Sequence, residues 1–287
     1  MLKPSKRSVY TLLGLFLTII CCFIFEGRPI IKETSAPAEK ISLPVLRYEA
    51  VTATGKGSKN SVTREAFLAD ITALIEEGCT FINSDDLVLF AMGAGELPEK
   101  PIWLTFDGGH ESFYTMVYPI LQEKNIKADV NIVGSYTDLY SDQLELRDTG
   151  CLSWMQAAEL DASPLVAVGN MSYDLNEQKL FGRKGASIKP KEEFSDYRAL
   201  LCADVLALQG KMNERLSHDS RVFCYPHGAY CTESEQILTE ELGFLITLTR
   251  DEGMNELSDK SSLQLLKRFS RDGRKSTEEF LKKILEY

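Results

Sequence analysis

From about residue 41 onward, short apolar runs bounded by turn residues alternate along the chain with longer segments of helical period. This alternation is typical of parallel strands joined by helices, and it predicts one α/β domain rather than an all-helical or all-strand fold. The predicted strands cover residues 43–48, 79–83, 102–106, 128–133, 165–169, 221–225 and 244–249.

Helices are predicted where apolar residues recur every three or four positions. In residues 63–77 the face is formed by Phe67, Ile71, Leu74 and Ile75, and Gly78 stops the helix. Residues 111–124, with a kink at Pro119, and residues 191–216 are predicted to be helical. Two further helices begin at capping boxes, which are Ser153-x-x-Gln156 and Ser276-x-x-Glu279.

The amino-terminal segment predicts a membrane span. Residues 9–26 contain one almost continuous apolar run, and Lys3, Lys6 and Arg7 precede it. About 20 apolar residues cross a bilayer as a helix, and basic residues favour the cytoplasmic side. We therefore expect a cytoplasmic tail over residues 1–8, a single-pass plasma-membrane anchor, a linker over residues 27–40 and a domain over residues 41–287 outside the cytoplasm. A cleaved signal peptide is the alternative, and the protein would then be secreted.

The balance of charges argues against nucleic acid as a partner. The chain has 32 Lys and Arg residues against 42 Asp and Glu residues, and three of the basic residues precede the apolar run. The remainder therefore has 29 basic against 42 acidic residues, a formal charge of −13, which repels phosphate backbones and anionic lipids. The sequence leaves the oligomeric state open.

Five cysteines lie beyond the apolar run, an odd number without Cys-x-x-Cys spacing. Neither a disulfide framework nor a zinc ribbon is indicated by this pattern. Cys224 and Cys231 flank one loop and could pair.

Three polar and glycine-rich clusters follow predicted strands directly. They are Asp107-Gly108-Gly109, residues 170–176 and Pro226-His227-Gly228. In parallel α/β folds the carboxyl ends of the strands gather at one face, where active sites are built. The three clusters are therefore expected to form one site.

The motifs carry a resemblance to a known family. The run Thr105-Phe106-Asp107-Gly108-Gly109 resembles the Thr-Phe-Asp-Asp-Gly motif of polysaccharide deacetylases (the NodB homology domain), carbohydrate esterases in which the first Asp is the base and the second binds a divalent metal. Residues 168–176 resemble the second motif, Gly-Ser-His-Thr-x-x-x-His, and residues 223–230 resemble the third, Tyr-Pro-x-Gly. The stretches 266–268, 272–274 and 277–280 match a frequent ending of such domains.

The resemblance spans residues 43–287 and implies a distorted parallel (β/α) barrel. It implies that Asp107 is in the base position and that Tyr225, Pro226, His227 and Gly228 form a loop whose backbone helps stabilise the oxyanion. All three metal ligands of the family are replaced, by Gly108, Met171 and Asn176. Because the residues that shape strands and turns remain, the pattern indicates a fold maintained without its metal, and no cofactor is expected.

Other residues could rebuild or reuse the site. His110 and His227, with Asp107, could form a non-standard site for zinc or another divalent metal. Alternatively, His110 faces solvent, His227 contributes only its backbone and Asp107 caps a helix. Aromatic and polar residues of the site loops are candidates for sugar binding, namely Tyr173, Asp174, Asn176 and Tyr230.

Three functions are compatible with these observations. The first is a glycan-binding or regulatory pseudoenzyme that acts on cell-envelope polysaccharide, either peptidoglycan or an N-acetylated oligosaccharide. The second is an active carbohydrate N-deacetylase, a hydrolase of non-peptide carbon–nitrogen bonds, with a non-standard metal site. The third is a structural protein whose surface binds other envelope proteins.

Overall fold

The computed structural model describes residues 40–142, 150–176, 182–216 and 220–286. They belong to one compact unit that runs from Lys40 to Tyr287. The predicted span over residues 9–26 and most of the linker lie outside the described residues. Within the described ranges, no helix is both long enough and apolar enough to cross a bilayer.

A curled parallel sheet of eight strands forms the centre of the fold. The strands of the described chain are β1 (Ile41–Leu43), β2 (Val45–Tyr48), β3 (Ala50–Thr52), β4 (Ser61–Thr63), β5 (Thr80–Ile82), β6 (Pro101–Asp107), β7 (Ala128–Ile132), β8 (Val166–Asn170), β9 (Val222–Cys224), β10 (Ile246–Leu248), β11 (Asn255–Leu257) and β12 (Phe269–Ser270). The order in the main sheet is β10-β9-β8-β7-β6-β2-β12, and β5 pairs with the first half of β6. Two small pairs lie apart from it, β1 with β11 and β3 with β4.

Most helices pack on the outer side of the curled sheet, whereas the short helix that contains Leu87 packs against the inner side. The helices are α1 (Arg64–Glu76), α2 (Ser84–Ala91), α3 (Tyr118–Lys124), α4 (Gly134–Asp142), α5 (Trp154–Asp161), α6 (Phe194–Leu216), α7 (Thr232–Gln236) and α8 (Thr277–Leu285). The two predicted capping boxes are present, with Ser153 and Ser276 at the amino termini of α5 and α8. The prediction of an α/β fold built on a distorted parallel sheet is thus confirmed, in the form of a half-barrel.

Two predicted elements differ in detail. The strand expected over residues 43–48 is divided into β1 and β2 at Pro44, which has no N–H to donate to a ladder. The helix expected over residues 111–124 contains a π-helical turn, Phe113–Val117, before α3 begins. Pro119 then stands in the first turn of α3, where a missing N–H costs little.

Strand β6 is buried along its whole length, and its alternation decides which residues reach the site. Ile102, Leu104 and Phe106 pack outward, in the same apolar cluster as the helices. Trp103, between them, packs into the inner cluster. Successive side chains of a strand point to opposite faces, so Asp107 shares the inner face with Trp103.

A carboxylate lies buried at the other end of this inner face. Asp129 accepts hydrogen bonds from the Trp103 indole (Nε1 to Oδ1, 2.7 Å), from the Ser84 backbone (2.9 Å) and from the Ser84 hydroxyl. Burial raises the pKa of Asp129 to about 7, although these hydrogen bonds oppose the rise. Asp129 is therefore a buried carboxylate whose ionisation is unfavourable.

The segment that leads into β12 brings a guanidinium into the interior. An isolated parallel bridge joins Leu248 to Leu266, and β12 then pairs with β2. Between these contacts lies Arg268, which is fully buried and donates from Nε to the Thr249 carbonyl (2.6 Å). The course of this segment places Arg268 opposite the end of β6.

Candidate functional site

Asp107 ends β6 on the inner face and is 2 % exposed. Arg268 clamps its carboxylate with two hydrogen bonds, from Nη1 to Oδ1 (2.7 Å) and from Nη2 to Oδ2 (2.9 Å). Asn131 donates from Nδ2 (3.3 Å) and the Cys224 thiol donates from Sγ (3.2 Å), both to Oδ1. The carboxylate therefore does not cap a helix, and most of its acceptor capacity is used.

Electrostatics keep Asp107 ionised. Burial by itself would raise its pKa, but the Arg268 charge and hydrogen bonds, followed by the charges of Arg47 and Arg250, bring the pKa well below its usual range. Burial also raises the pKa of the adjacent Cys224 thiol to about 12, so the thiol remains a protonated donor. Asp107 is consequently a weak base that is permanently charged at neutral pH.

A second carboxylate lies beside this pair. Glu49, which directly follows β2, accepts hydrogen bonds from Arg47 and from Arg250 (Nη2 to Oε1, 3.1 Å). Arg47 also lies 3.8 Å from Asp107, measured from Nη1 to Oδ2. Three guanidinium groups thus hold the two carboxylates.

The residues after Asp107 turn the chain sharply. Gly108 and Gly109 have φ of +87° and +60°, a region that side chains other than glycine rarely adopt. A Cβ at Gly108 would lie 3.4 Å from Nε2 of His110, so the imidazole occupies the space next to the position of the family's second Asp. Burial lowers the pKa of the partly buried His110, against the opposing influence of Glu49 and Asp107.

The second motif follows β8 and is held by its backbone. Met171 is 2 % exposed and belongs to the inner apolar cluster. The amides of Tyr173 and Asp174 each donate to the Asp204 carboxylate of α6 (2.9 Å). The motif therefore keeps its shape, while Met171 supplies apolar packing where the family has a histidine.

The third motif meets the second through His227. In this loop His227 and Gly228 have φ of +58° and +65°. Nε2 of His227 lies 2.7 Å from the carbonyl oxygen of Asn176, which can only accept, so Nε2 carries the proton. A Cβ at Gly228 would come within 2.6 Å of Cβ of Arg250, so only glycine allows Arg250 to pack against this loop.

These elements enclose a cleft of about 310 Å³ at the carboxyl ends of the strands. All three sequence clusters contribute to it, as predicted. The lining residues are Glu49, Asn60, Asp107, Gly108, His110, Tyr136, Cys151, Met171, Asn176, His227 and Arg250.

The residues of the cleft do not fit the divalent metal of the family. Gly108 and Met171 offer no carboxylate or imidazole, and the side chain of Asn176 lies 3.5 Å from the Tyr136 hydroxyl. In the part of the chain that the structure describes, no group of three or more His, Cys, Asp or Glu residues is arranged to hold a metal ion. His110 and His227 both line the cleft, but Nε2 of His227 is used as a donor, and the non-standard metal site stays a prediction.

The four candidates for sugar binding do not all lie in the cleft. Of the four, Asn176 lines the cleft, whereas Tyr173, Asp174 and Tyr230 are not among the lining residues. The Tyr173 hydroxyl donates to Asp138 (2.8 Å), and the Tyr230 hydroxyl donates to Asp251 (2.9 Å). Tyr225 is fully buried and Pro226 is buried behind His227, so these two shape the loop rather than face the cleft.

The structure decides two alternatives that the sequence left open. Cys224 and Cys231 do not pair, because both are free thiols. The Cys224 thiol donates to Asp107, and the Cys231 sulfur lies 3.5 Å from the Tyr197 hydroxyl. His110 does not face solvent, because it is partly buried in the cleft wall.

Sequence reasoning missed the three arginines of the site. Arg268 belongs to a stretch that matches a common domain ending, Arg47 lies within a predicted strand, and Arg250 directly follows one. A basic residue within or directly after a predicted buried strand is a signal that finds Arg47 and Arg250, since such a residue needs a buried carboxylate as partner, but Arg268 lies outside the predicted strands.

Comparison with known proteins agrees with this geometry. The family model described as polysaccharide deacetylase matches residues 94–246, which is more than half of the chain. The chain belongs to this family. Its curated relatives include the poly-beta-1,6-N-acetyl-D-glucosamine N-deacetylase of Escherichia coli K12, which is 28 % identical over 78 % of this chain and 36 % of the relative. The chain thus spans little more than a third of that protein.

Solved structures share the fold. A de-N-acetylase from Aggregatibacter actinomycetemcomitans superposes with a TM-score of 0.70 at 18 % identity, covering 83 % of this chain and 99 % of the other. A Streptococcus pyogenes deacetylase solved with acetate superposes with a TM-score of 0.66 at 19 % identity, covering 86 % of this chain and 98 % of the other. IcaB from Ammonifex degensii superposes with a TM-score of 0.66 at 23 % identity, covering 80 % of this chain and 92 % of the other. At these identities the likeness concerns the fold alone.

Proposed function

We propose that this polysaccharide deacetylase-family protein binds cell-envelope glycan in its cleft without hydrolysing it. The observation that carries the proposal is the state of Asp107, which is clamped by Arg268 beside Gly108. A residue in the position of the base is present, but the metal-binding residue next to it is missing.

Amide hydrolysis needs an activated water and a stabilised oxyanion. A bound metal supplies both, since it lowers the pKa of its water from about 15.7 towards about 7 and polarises the carbonyl. A general base alone contributes about 10²–10⁴-fold, and less when its pKa lies far below the working pH. The low pKa of Asp107 therefore supports a binding role over a catalytic one.

The ligand is proposed from the chemistry of the cleft and from the relatives. The curated relative is named for poly-beta-1,6-N-acetyl-D-glucosamine. The cleft presents donors and acceptors from Asn60, Tyr136, Asn176 and Arg250, which suit the hydroxyl and acetamido groups of such a polymer. We further propose that residues 9–26 anchor the protein in the plasma membrane with this domain outside the cytoplasm, and that it is secreted if the segment is cleaved.

Acetate release from N-acetylglucosamine oligomers and from peptidoglycan tests the proposal. The full-length protein should release no more acetate than its Asp107→Asn variant, with or without added zinc or cobalt, and should bind at least one of the glycans in calorimetry. Metal-dependent release that Asp107→Asn abolishes would instead establish an active deacetylase, and His110→Ala and His227→Ala would then identify its ligands. Absence of any glycan binding, together with crosslinking to another envelope protein, would favour the structural role.

A further inference from the structure

The charges around the cleft are unlike those of the whole chain. The protein carries a net −10, yet three guanidinium groups gather at the cleft against two carboxylates. Arg268 and Arg47 lie behind the cleft with side chains 0 % and 9 % exposed, and Arg250 lines it. The cleft of an acidic protein is therefore locally cationic.

Both carboxylates of the cleft are already paired with guanidinium groups. Asp107 is bound on both oxygens by Arg268, and Glu49 accepts from both Arg47 and Arg250. Glu111, which lines an adjoining groove, is 8 % exposed and accepts weak hydrogen bonds from Thr115 and Gln156. A positively charged ligand at either carboxylate would therefore lie next to a guanidinium that is already bound there.

Arg250 is the guanidinium that a ligand can reach. Its side chain is 32 % exposed, and its stem is fixed against Gly228 of the third motif. One N–H group of Nη2 is used on Glu49, and Nε is buried without an acceptor among the described residues, so the donors left for a ligand are those of Nη1 and the second N–H of Nη2. The residue therefore combines a fixed position, a positive charge and spare donors.

We propose that Arg250 makes the cleft selective for the acetylated form of a glycan over its de-N-acetylated form. This inference rests on the proposed function, because it assumes that the cleft binds glycan. An acetamido group is neutral and offers a carbonyl oxygen to spare guanidinium donors. The amine left by deacetylation is protonated and has no acceptor for them, and it meets a like charge at short range.

Calorimetry with matched ligands tests the selectivity. The probes are a β-1,6-linked N-acetylglucosamine pentamer and the same pentamer fully de-N-acetylated, each titrated at pH 6 into the full-length protein in mild detergent. We expect the acetylated pentamer to bind at least about tenfold more tightly, a factor that corresponds to about 1.4 kcal/mol. Salt at about 1 M should narrow this difference, because screening weakens repulsion between accessible charges.

Three variants test whether Arg250 causes the preference for the acetylated pentamer. Arg250→Met should bring the two affinities within about twofold, because it removes the charge. Arg250→Lys should keep the preference, because it retains the charge, and the exposed Arg274→Met should behave like the native protein.

Each remaining outcome contradicts a different claim. Equal affinity of the native protein for both pentamers would refute the selectivity and leave the proposed function standing. Binding of neither pentamer would overturn the proposed function itself. An unchanged preference in Arg250→Met, or a preference unaffected by salt, would show that Arg250 does not select by charge. Should Arg250→Met fold poorly, Arg250→Lys and the salt dependence still decide the matter.

Discussion

Replacing Arg268 by Met should destabilise the domain strongly, because it leaves the Asp107 carboxylate buried with its main partner gone. Arg268 is fully buried and Asp107 is 2 % exposed. Breaking a buried ion pair by removing one partner costs about 3–5 kcal/mol, since the remaining charge is neither solvated nor fully paired. Arg47, at 3.8 Å, compensates only in part. The Thr249 carbonyl also loses its donor.

The double variant Asp107→Asn with Arg268→Met should recover much of that loss. Replacing both members of a buried pair is often close to neutral, because no buried charge is left behind. The exposed pair Arg274–Asp272 provides the matched control, since Arg274→Met removes an arginine from a salt bridge at the surface and should shift the unfolding midpoint little.

The destabilisation caused by Arg268→Met should also depend on pH. In the native protein the pKa of Asp107 is below its unfolded value of about 3.9, so its stabilising contribution is complete above that pH and is lost as the pH falls through the folded pKa. Without Arg268, burial favours the protonated form. The loss caused by Arg268→Met should therefore be larger at pH 7 than at pH 4.5.

Urea unfolding followed by tryptophan fluorescence measures these changes. The chain has two tryptophans, Trp103 and Trp154, and both lie in the folded unit, so the signal reports on this domain even in the full-length protein. A loss below about 1 kcal/mol for Arg268→Met, or a double variant no more stable than the single one, would refute the assignment of a buried, uncompensated charge.

Three further predictions concern other parts of the structure. Because burial raises the pKa of Asp129 to about 7, the folded state binds more protons than the unfolded state between about pH 4 and 7, and stability should fall as the pH rises through this range. Asp129→Asn should reduce that slope, to which Asp204 with its pKa of about 6 also contributes, and should relieve up to about 4 kcal/mol at pH 8. An unchanged slope in urea unfolding would contradict it. Gly228→Ala should lower the unfolding midpoint, with about 1–2 kcal/mol from its positive φ and more from overlap with Arg250, whereas Gly210→Ala in α6, which has open space, should not. Chelator treatment or added zinc should leave the thermal midpoint unchanged, and a rise with zinc that His110→Ala removes would establish the non-standard metal site.

Local sequence patterns predicted most of the fold. Apolar runs of five or six residues predicted the central strands within one or two residues, because a buried parallel strand has no polar face. The missed elements are short. Strands β3, β4, β11 and β12 have two or three residues each, too few for a period to be recognised, and the missed helices α2, α4 and α7 have nine residues or fewer.

The position of the site was predicted better than its composition. Asp107, His110, Asn176 and His227 do share one cleft, since the carboxyl ends of parallel strands must converge. Tyr173 and Tyr230 are close in sequence to the cleft residues Met171 and His227, but their hydroxyls donate hydrogen bonds to Asp138 and Asp251. Sequence proximity to a site cannot say which way a loop side chain turns.

The sequence by itself determined the family, the α/β class and the loss of the three metal ligands, because each of these is written in the identity and spacing of neighbouring residues. Only the tertiary structure decided which groups surround Asp107. Arg268 lies 161 positions from Asp107, and Arg250 lies 201 positions from Glu49, so no local pattern links them. Curling of the sheet brings these charges together, and burial then makes their pairing strong enough to determine the state of Asp107.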